Sequence, residues 1–242
     1  MTIYDRVNER YYGLINSSVS HESTRARIHW ICRAVTGRKI LDVGCSQGIT
    51  SILLAREGLS VTGVDLEVES IRYARRELAK ESAPVRENVH FLLTDVTEWK
   101  ATNLFDTVIL GEILEHFANP AILLRQAFRL LKEKGALVIT VPYGYHPFYD
   151  HKQTFYAGNL GVSLDPWFEV NQMELQHKYL CCTATKRQKV KADGSPDTTK
   201  LMAWVEFDCK QFKSLEVKHL EAMSQRKATY EQALQQLRKQ SK

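Results

Sequence analysis

The sequence predicts an α/β domain on a mostly parallel sheet, preceded by a helical segment and followed by a helical tail. Three observations predict it. Short apolar runs such as Ile40-Leu41-Asp42-Val43 alternate with helical periodicity from Lys39 to Pro142, and strands buried on both faces have this unbroken apolar character. Each run ends near a glycine or an acid, at Gly44, Asp65, Asp95 and Gly111. The composition suits a packed chain of 242 residues: 44% hydrophobic, 25% charged, net charge +5. It excludes disorder as the main state and a disulfide-dense or collagen-like scaffold.

The elements follow in order. Tyr4, Val7, Tyr11 and Leu14 recur at helical spacing, and after Ser17-Ser18 a second helix carries Ile28, Trp30, Ile31 and Val35 to a stop at Gly37. Strands are predicted at 40–43, 60–64, 89–93, 105–110 and 136–141, with helices at 49–56 and 70–80 between them. Asn119-Pro120 opens another helix, read through Leu131 to Gly135. Residues 143–166, rich in Tyr, His, Gly and Pro, read as a long active-site loop with a short helix. Phe168–Gln176 and Tyr179–Lys186 pair as an antiparallel hairpin. Ala192-Asp193-Gly194-Ser195-Pro196 marks a turn-rich linker. The last stretch is helical, with Leu220, Met223, Tyr230, Leu234 and Leu237 on a seam broken by Lys227. A coiled coil joining copies or further domains and a single packed helix fit this seam equally well. The predicted organisation is therefore a helical lid (1–37), a sheet domain (38–188), and a linker with C-terminal helix (189–242).

Five cysteines, with no C-x-x-C pair, read as reduced thiols. No run reaches the ~20 apolar residues of a membrane span. A soluble, cytoplasmic protein is expected.

The loop Leu41-Asp-Val-Gly-Cys-Ser-Gln-Gly48 carries most of the functional information. Glycines between a first strand and a helix let backbone approach a ligand at the carboxyl edge of a sheet. Neither G-x-G-x-x-G nor a phosphate loop is present, and Asp42 precedes the first glycine. A ligand with a cationic part suits that acid better than a pyrophosphate does. Asp65, twenty-one residues after Gly44, can accept hydrogen bonds from two ribose hydroxyls. Asp95-Val96 can meet an adenine edge.

Ile-Leu-Asp-Val-Gly-Cys-Ser-Gln-Gly, Val-Thr-Gly-Val-Asp-Leu, Phe-Leu-Leu-Thr-Asp-Val and Phe-Asp-Thr-Val-Ile-Leu-Gly-Glu-Ile-Leu-Glu-His resemble the successive motifs of class I S-adenosylmethionine-dependent methyltransferases, across roughly residues 27–187. The resemblance implies a Rossmann-like, seven-stranded, mostly parallel sheet with an antiparallel last strand. It implies S-adenosylmethionine as cofactor. Asp42, Gly44, Cys45 and Gly48 would line its methionine portion, Asp65 and Leu66 its ribose, Asp95 and Val96 its adenine, and Gly111 its amino group. Arg27 would face its carboxylate, as in several glycan-type members.

Glu112-Ile-Leu-Glu115-His116 lies beyond the fourth strand. On a helix, Glu112 and Glu115 would share a face at i, i+3, with His116 four residues from Glu112. Two carboxylates and an imidazole suit Mg²⁺ or Mn²⁺ better than structural zinc. The signature resembles that of small-RNA 2′-O-methyltransferases and ubiquinone-pathway O-methyltransferases, where it holds a divalent cation with one downstream ligand. His151, His146 and Asp150 are the candidates here. Metal-free relatives carry Leu-Glu-His as well, so Glu112, His116 and His151 are equally candidates for a metal-independent catalytic role.

The expected function is S-adenosylmethionine-dependent O-methylation of a sugar, glycan or similar hydroxyl, with divalent-metal assistance as an option. Arg27 and an aromatic loop (Tyr143, Tyr145, Phe148, Tyr149, Phe155, Tyr156) favour the glycan. RNA 3′-terminal 2′-O-methylation and methylation of phenol- or quinone-type small molecules are the alternatives. The basic run Lys186-Arg187-Gln-Lys189-Val-Lys191 fits a solvated strand end better than a phosphate groove.

Overall fold

The computed structural model describes residues 6–15, 17–101, 103–146, 148, 150–191 and 197–240. Tyr4, Tyr149 and the 192–196 turn lie outside them, as do the side chains of Leu234 and Leu237. Two compact units result, one ending at Pro196 and one beginning at Asp197.

The first unit opens with α1 (Val7–Tyr11) and α2 (Ser18–Ala34). Ser17 caps α2 with its hydroxyl on the Ser20 amide. Helix α1 is shorter than its periodicity predicts. Gly13 turns the chain at φ +76°, so Leu14 leaves the apolar face and is exposed. Next come β1 (Lys39–Val43), α3 (Ile49–Arg56), β2 (Ser60–Asp65), α4 (Val68–Leu78), α5 (Ala83–Glu87), β3 (Val89–Leu93) and β4 (Phe105–Gly111). A 3₁₀ turn (Leu114–His116), α6 (Ala121–Leu130), β5 (Leu131–Pro142), α7 (Ala157–Leu164), β6 (Phe168–Gln176) and β7 (Tyr179–Lys186) complete it.

The seven strands form one sheet in the order β3-β2-β1-β4-β5-β7-β6. Strands β1 to β5 pair in parallel, and β7 lies antiparallel between β5 and β6. One core cluster joins Trp30 and Ile31 of α2 to Ile40, Val61, Ile109 and Val138. Another joins Ile52, Ile71, Ala74, Val85 and Phe91 around α3, α4 and α5. Short α5, opened by Ser82 with Pro84 in its first turn, was not foreseen; it places Val85 in that second cluster.

One boundary shifts substantially. The helix predicted to run to Gly135 ends at Leu130, because Leu131 is fully buried as a strand residue paired with Phe105. Lys134, at φ +58°, carries the irregularity that precedes regular pairing from Ala136.

Gly48 begins α3 at φ +82°, and a Cβ there would lie 2.5 Å from Phe91 Cζ and 2.9 Å from Ala74 Cβ. Left-handed strain and overpacking therefore coincide. Gly48→Ala is expected to cost about 2–5 kcal/mol in urea unfolding; a loss under about 1 kcal/mol would contradict this packing.

The second unit is α8 (Thr198–Gln240), a single helix of 43 residues. Of the predicted seam, Leu220, Met223 and Tyr230 are exposed. No helix among the described residues is long and apolar enough to cross a membrane.

Candidate active site

The strand order reverses at β1, which has β2 on one side and β4 on the other. Segments leaving the carboxyl ends of β1 and β4 diverge there and open a crevice, the usual ligand site of such sheets. Residues 44–48 form one wall and residues 111–116 the other. They touch: Gly44 has φ +69°, and a Cβ on it would lie 2.7 Å from Ile113 Cδ1.

The amides of Gly44 and Cys45 both donate to the Val64 carbonyl, at 2.9 and 3.1 Å. Asp65 then holds the loop. One carboxylate oxygen accepts from the Ser46 amide and the other from the Glu67 amide, each at 2.8 Å. Burial pushes its pKa up, and those amides oppose the rise. Asp42 is buried beneath the loop and accepts from Ser51 Oγ at 2.7 Å. Burial pushes its pKa up to about 6 against that hydrogen bond. Leu66 is exposed beyond β2. Cys45 turns its side chain into the core, with Sγ 3.0 Å from where a Cβ on Gly63 would sit. Burial holds its thiol well above the ordinary range.

Asp95, exposed after β3, accepts from the Thr97 amide and hydroxyl at 2.8 and 2.7 Å. Val96 is buried, and its carbonyl accepts from Gln126 Nε2 at 2.8 Å. Arg27 is buried beside the tip of β4. Its Nη1 lies 3.5 Å from where a Cβ on Gly111 would be and donates to Thr140 Oγ1 at 3.4 Å. Its guanidinium stands 5.2 Å from the Tyr179 ring centroid.

Asn8, outside every motif, and Gln47, a loop residue with no predicted role, join α1 to this wall. The Asn8 amide donates to Gln47 Oε1 at 2.8 Å, and Gln47 Nε2 donates to Glu9 at 3.4 Å. Asn8 and Gln47 are both buried. Only contact between α1 and the loop gives them this role, and sequence spacing cannot reveal it.

On the opposite wall the helix considered for 112–116 does not form. Glu112 takes φ +57° and donates its amide to the Thr140 carbonyl at 2.8 Å, after which Leu114–His116 make a 3₁₀ turn. The i, i+3 face shared by Glu112 and Glu115 is therefore lost. Glu115, His116 and His151 converge instead, with ligand atoms all within 4.8 Å of one another. Glu112 is not one of the three, although its charge still reaches Glu115.

His151 arrives because the Lys152 and Gln153 amides both donate to the Glu115 carbonyl, at 2.7 and 3.1 Å. Of the other downstream candidates, Asp150 places Oδ2 3.1 Å from His116 Nδ1, and His146 faces Lys178. Glu115 is buried, and its Oε2 has no hydrogen-bond partner. Burial, then Glu112, drives its pKa well above the carboxylate range. Burial, then His116 and His146, lowers that of His151 and favours a neutral imidazole. A buried, unpartnered carboxylate oxygen beside two imidazoles fits a cation.

Three of the four basic side chains after β7 are engaged within their own unit, while Lys189 is exposed. Arg187 and Lys191 bind the buried Asp165 carboxylate at 2.8 and 2.6 Å, and Lys186 donates to the Leu131 carbonyl.

Known proteins resemble this chain in sequence and in fold. A family model described as a methyltransferase domain matches residues 35–208. The ubiquinone biosynthesis O-methyltransferases of Paracidovorax citrulli and Psychrobacter arcticus are 34% and 33% identical over 117 and 139 residues. Those matches cover 48% and 50% of this chain and 49% and 53% of the relatives; the chain spans about half the length of the curated relatives it matches. Among solved structures, magnesium protoporphyrin IX methyltransferase from Synechocystis with bound S-adenosylmethionine has a TM-score of 0.58 at 19% identity, covering 75% of this chain and 90% of that one. The cyclase SpnF reaches 0.59 at 18% identity, covering 69% and 82%. Those likenesses establish the fold, which evidently hosts more than one chemistry. The matched family model, spanning most of the chain and both walls of the crevice, establishes the kinship: this protein belongs to the methyltransferase-domain family of class I S-adenosylmethionine-dependent methyltransferases.

Proposed function

We propose that the chain transfers the methyl group of S-adenosylmethionine to a hydroxyl oxygen of a small-molecule acceptor, with Glu115, His116 and His151 holding a divalent cation. The convergence of those three side chains, with Glu115 Oε2 buried and unpartnered, carries the reading. One carboxylate and two imidazoles suit Mn²⁺ better than Mg²⁺, which prefers an all-oxygen shell.

The cofactor supplies an activated methyl on a sulfonium, and a bound divalent cation lowers the pKa of a coordinated hydroxyl. The chain's own residues do the rest. Asp65 accepts from the ribose hydroxyls, with Leu66 beside them, and Asp95 and Val96 meet the adenine. Asp42 and the Gly111 carbonyl favour the ammonium end, while Arg27 faces the carboxylate. The backbone of Gly44, Cys45 and Gly48 lets the methionine portion approach. Asp150 orients the His116 ring through Nδ1. If no cation is held, neutral His151 can take the acceptor's proton, and Glu112 supplies negative charge nearby.

The acceptor is best read as phenol-type, as the names of the 33–34% identical relatives suggest. A glycan was favoured by Arg27 and the aromatic loop. Arg27 lies buried against Thr140 and Gly111, in keeping with a role toward the cofactor, and says nothing directly of the acceptor. RNA loses support because most of the basic run binds within its own unit. The exposed seam of α8 leaves self-association as a separate reading.

Transfer from radiolabelled S-adenosylmethionine to catechol, methyl glucoside and a short RNA with a free 3′ vicinal diol tests the proposal. Label on catechol oxygen with Mn²⁺, reduced at least tenfold by EDTA, is expected. No O-methyl product from any of the three would overturn it.

A further inference from the structure

Helix α8 is roughly 65 Å long at 1.5 Å per residue. Helices of globular proteins owe most of their stability to packing an apolar face, yet much of this one's apolar surface is bare. Val205, Phe212, Met223 and Tyr230 are 41%, 46%, 54% and 72% exposed. They belong to one seam. Val205, Cys209, Phe212 and Glu216 are spaced four and three apart, and Met223, Arg226 and Tyr230 continue the seam one heptad later. All seven are exposed, and the buried Trp204 and Asp208 fall outside the seam. The opposite face is polar at Lys210, Ser214, Lys218, Glu221, Ser224 and Gln225. That asymmetry is the pattern of a helix that pairs with another helix.

The two charges in the seam decide the partner and its direction. A charge buried in such a seam without an opposite partner is strongly destabilising. In an in-register parallel pair each residue faces its own copy, so Glu216 would meet Glu216 and Arg226 would meet Arg226. In an antiparallel pair with its twofold axis level with Glu221, residues at equal distances on either side of 221 meet. Glu216 and Arg226 each stand five residues from it, and Phe212 and Tyr230 each stand nine. The reversed seam is therefore complementary to itself, carboxylate opposite guanidinium and ring opposite ring. Leu220, 59% exposed, stands beside the axis and meets its own copy. One like-charge flank opposes the pairing, Lys213 against the partner's Lys227, and Glu231 offsets it from 4.0 Å within the same helix as Lys227.

We infer that α8 pairs antiparallel with α8 of a second copy of this chain, centred on Glu221, with Glu216 opposite the partner's Arg226 and Phe212 opposite the partner's Tyr230. Both copies use the same surface, so the assembly closes at two. This pairing stands independently of the O-methyl-transfer reading.

Light scattering of the full 242-residue chain at tens of micromolar should give twice the 27.8 kDa of one copy. Glu216→Arg is expected to raise the dimer dissociation constant at least tenfold, and Arg226→Glu to do the same. The double exchange, Glu216→Arg with Arg226→Glu, should restore parental association, with helicity by circular dichroism as the fold control. Cys209 is exposed and stands twelve residues before the centre. Ala233→Cys puts a thiol twelve residues after it, so mild oxidation should trap that variant, but not the parent, as a disulfide dimer. A monomeric chain, a higher oligomer, a dimer indifferent to Glu216→Arg, or a loss that the double exchange does not rescue would each overturn the inference. A parent that oxidises to a dimer through Cys209 would overturn it in favour of a parallel pair.

Discussion

Asp65→Ala is expected to weaken S-adenosylhomocysteine binding at least 100-fold in calorimetry, about 3 kcal/mol. Two losses combine. The ribose hydroxyls lose a charged acceptor, and hydrogen bonds to charged groups are worth roughly 1.5–3 kcal/mol. The loop loses its anchor as well, because the Ser46 and Glu67 amides both end on this carboxylate. Asp65→Asn should rescue little. Its amide oxygen can still receive Glu67, but its NH₂ then confronts the Ser46 N–H as a second donor. An Asp65→Ala affinity within threefold of the parent would remove Asp65 from the cofactor site.

Glu115→Gln is expected to abolish the rise in melting temperature produced by Mn²⁺ and to lower kcat about 100-fold, with KM for S-adenosylmethionine within twofold. The neutral amide keeps the shape but loses the charge that two imidazoles cannot replace. A pH signature separates this from simple damage. Burial raises the Glu115 pKa above its ordinary 4.5, so the metal-free folded state binds this proton more tightly than the unfolded chain does. Its stabilising contribution is complete below 4.5 and is lost as pH rises through the raised value. Metal-free parent protein should therefore lose stability with rising pH more than Glu115→Gln does, and Mn²⁺ should reverse that loss. Asp42, pushed up to about 6, titrates in the same sense in both proteins and cancels in the comparison. A variant that keeps its Mn²⁺ shift would sink the cation assignment.

The sheet and crevice were legible because their signals are local. Apolar runs ending at Gly44, Asp65 and Gly111 mark strand tips, and strand tips are where this topology gathers ligand groups. The Glu115, His116 and His151 cluster was half legible. Glu115, His116 and His151 could be named from residue type, but the left-handed Glu112 that removes the helical face depends on its bond to Thr140 of the neighbouring strand. Asn8 and Gln126 carried no readable signal, because each acts through a partner distant in sequence. The strand beginning at Leu131 was misread for a related reason: its helical periodicity continued, and only pairing with Phe105 overrode it.

The strand order also sets a timetable for the nascent chain. Ile40 of β1 pairs with Thr107 of β4, so this edge waits roughly 3–13 s at ordinary synthesis rates before its neighbour exists. The far edge of β5 waits roughly 2–9 s in its turn, since Ile139 pairs with Cys182. Parallel, non-local pairing of this kind is slow and leaves strand edges open to other chains. Every side chain proposed to hold the cofactor or a cation lies between Arg27 and His151, ahead of the hairpin that completes the sheet. A fragment ending before Phe168 would carry the whole cofactor and cation inventory on an unfinished sheet, with the edge of β5 bare.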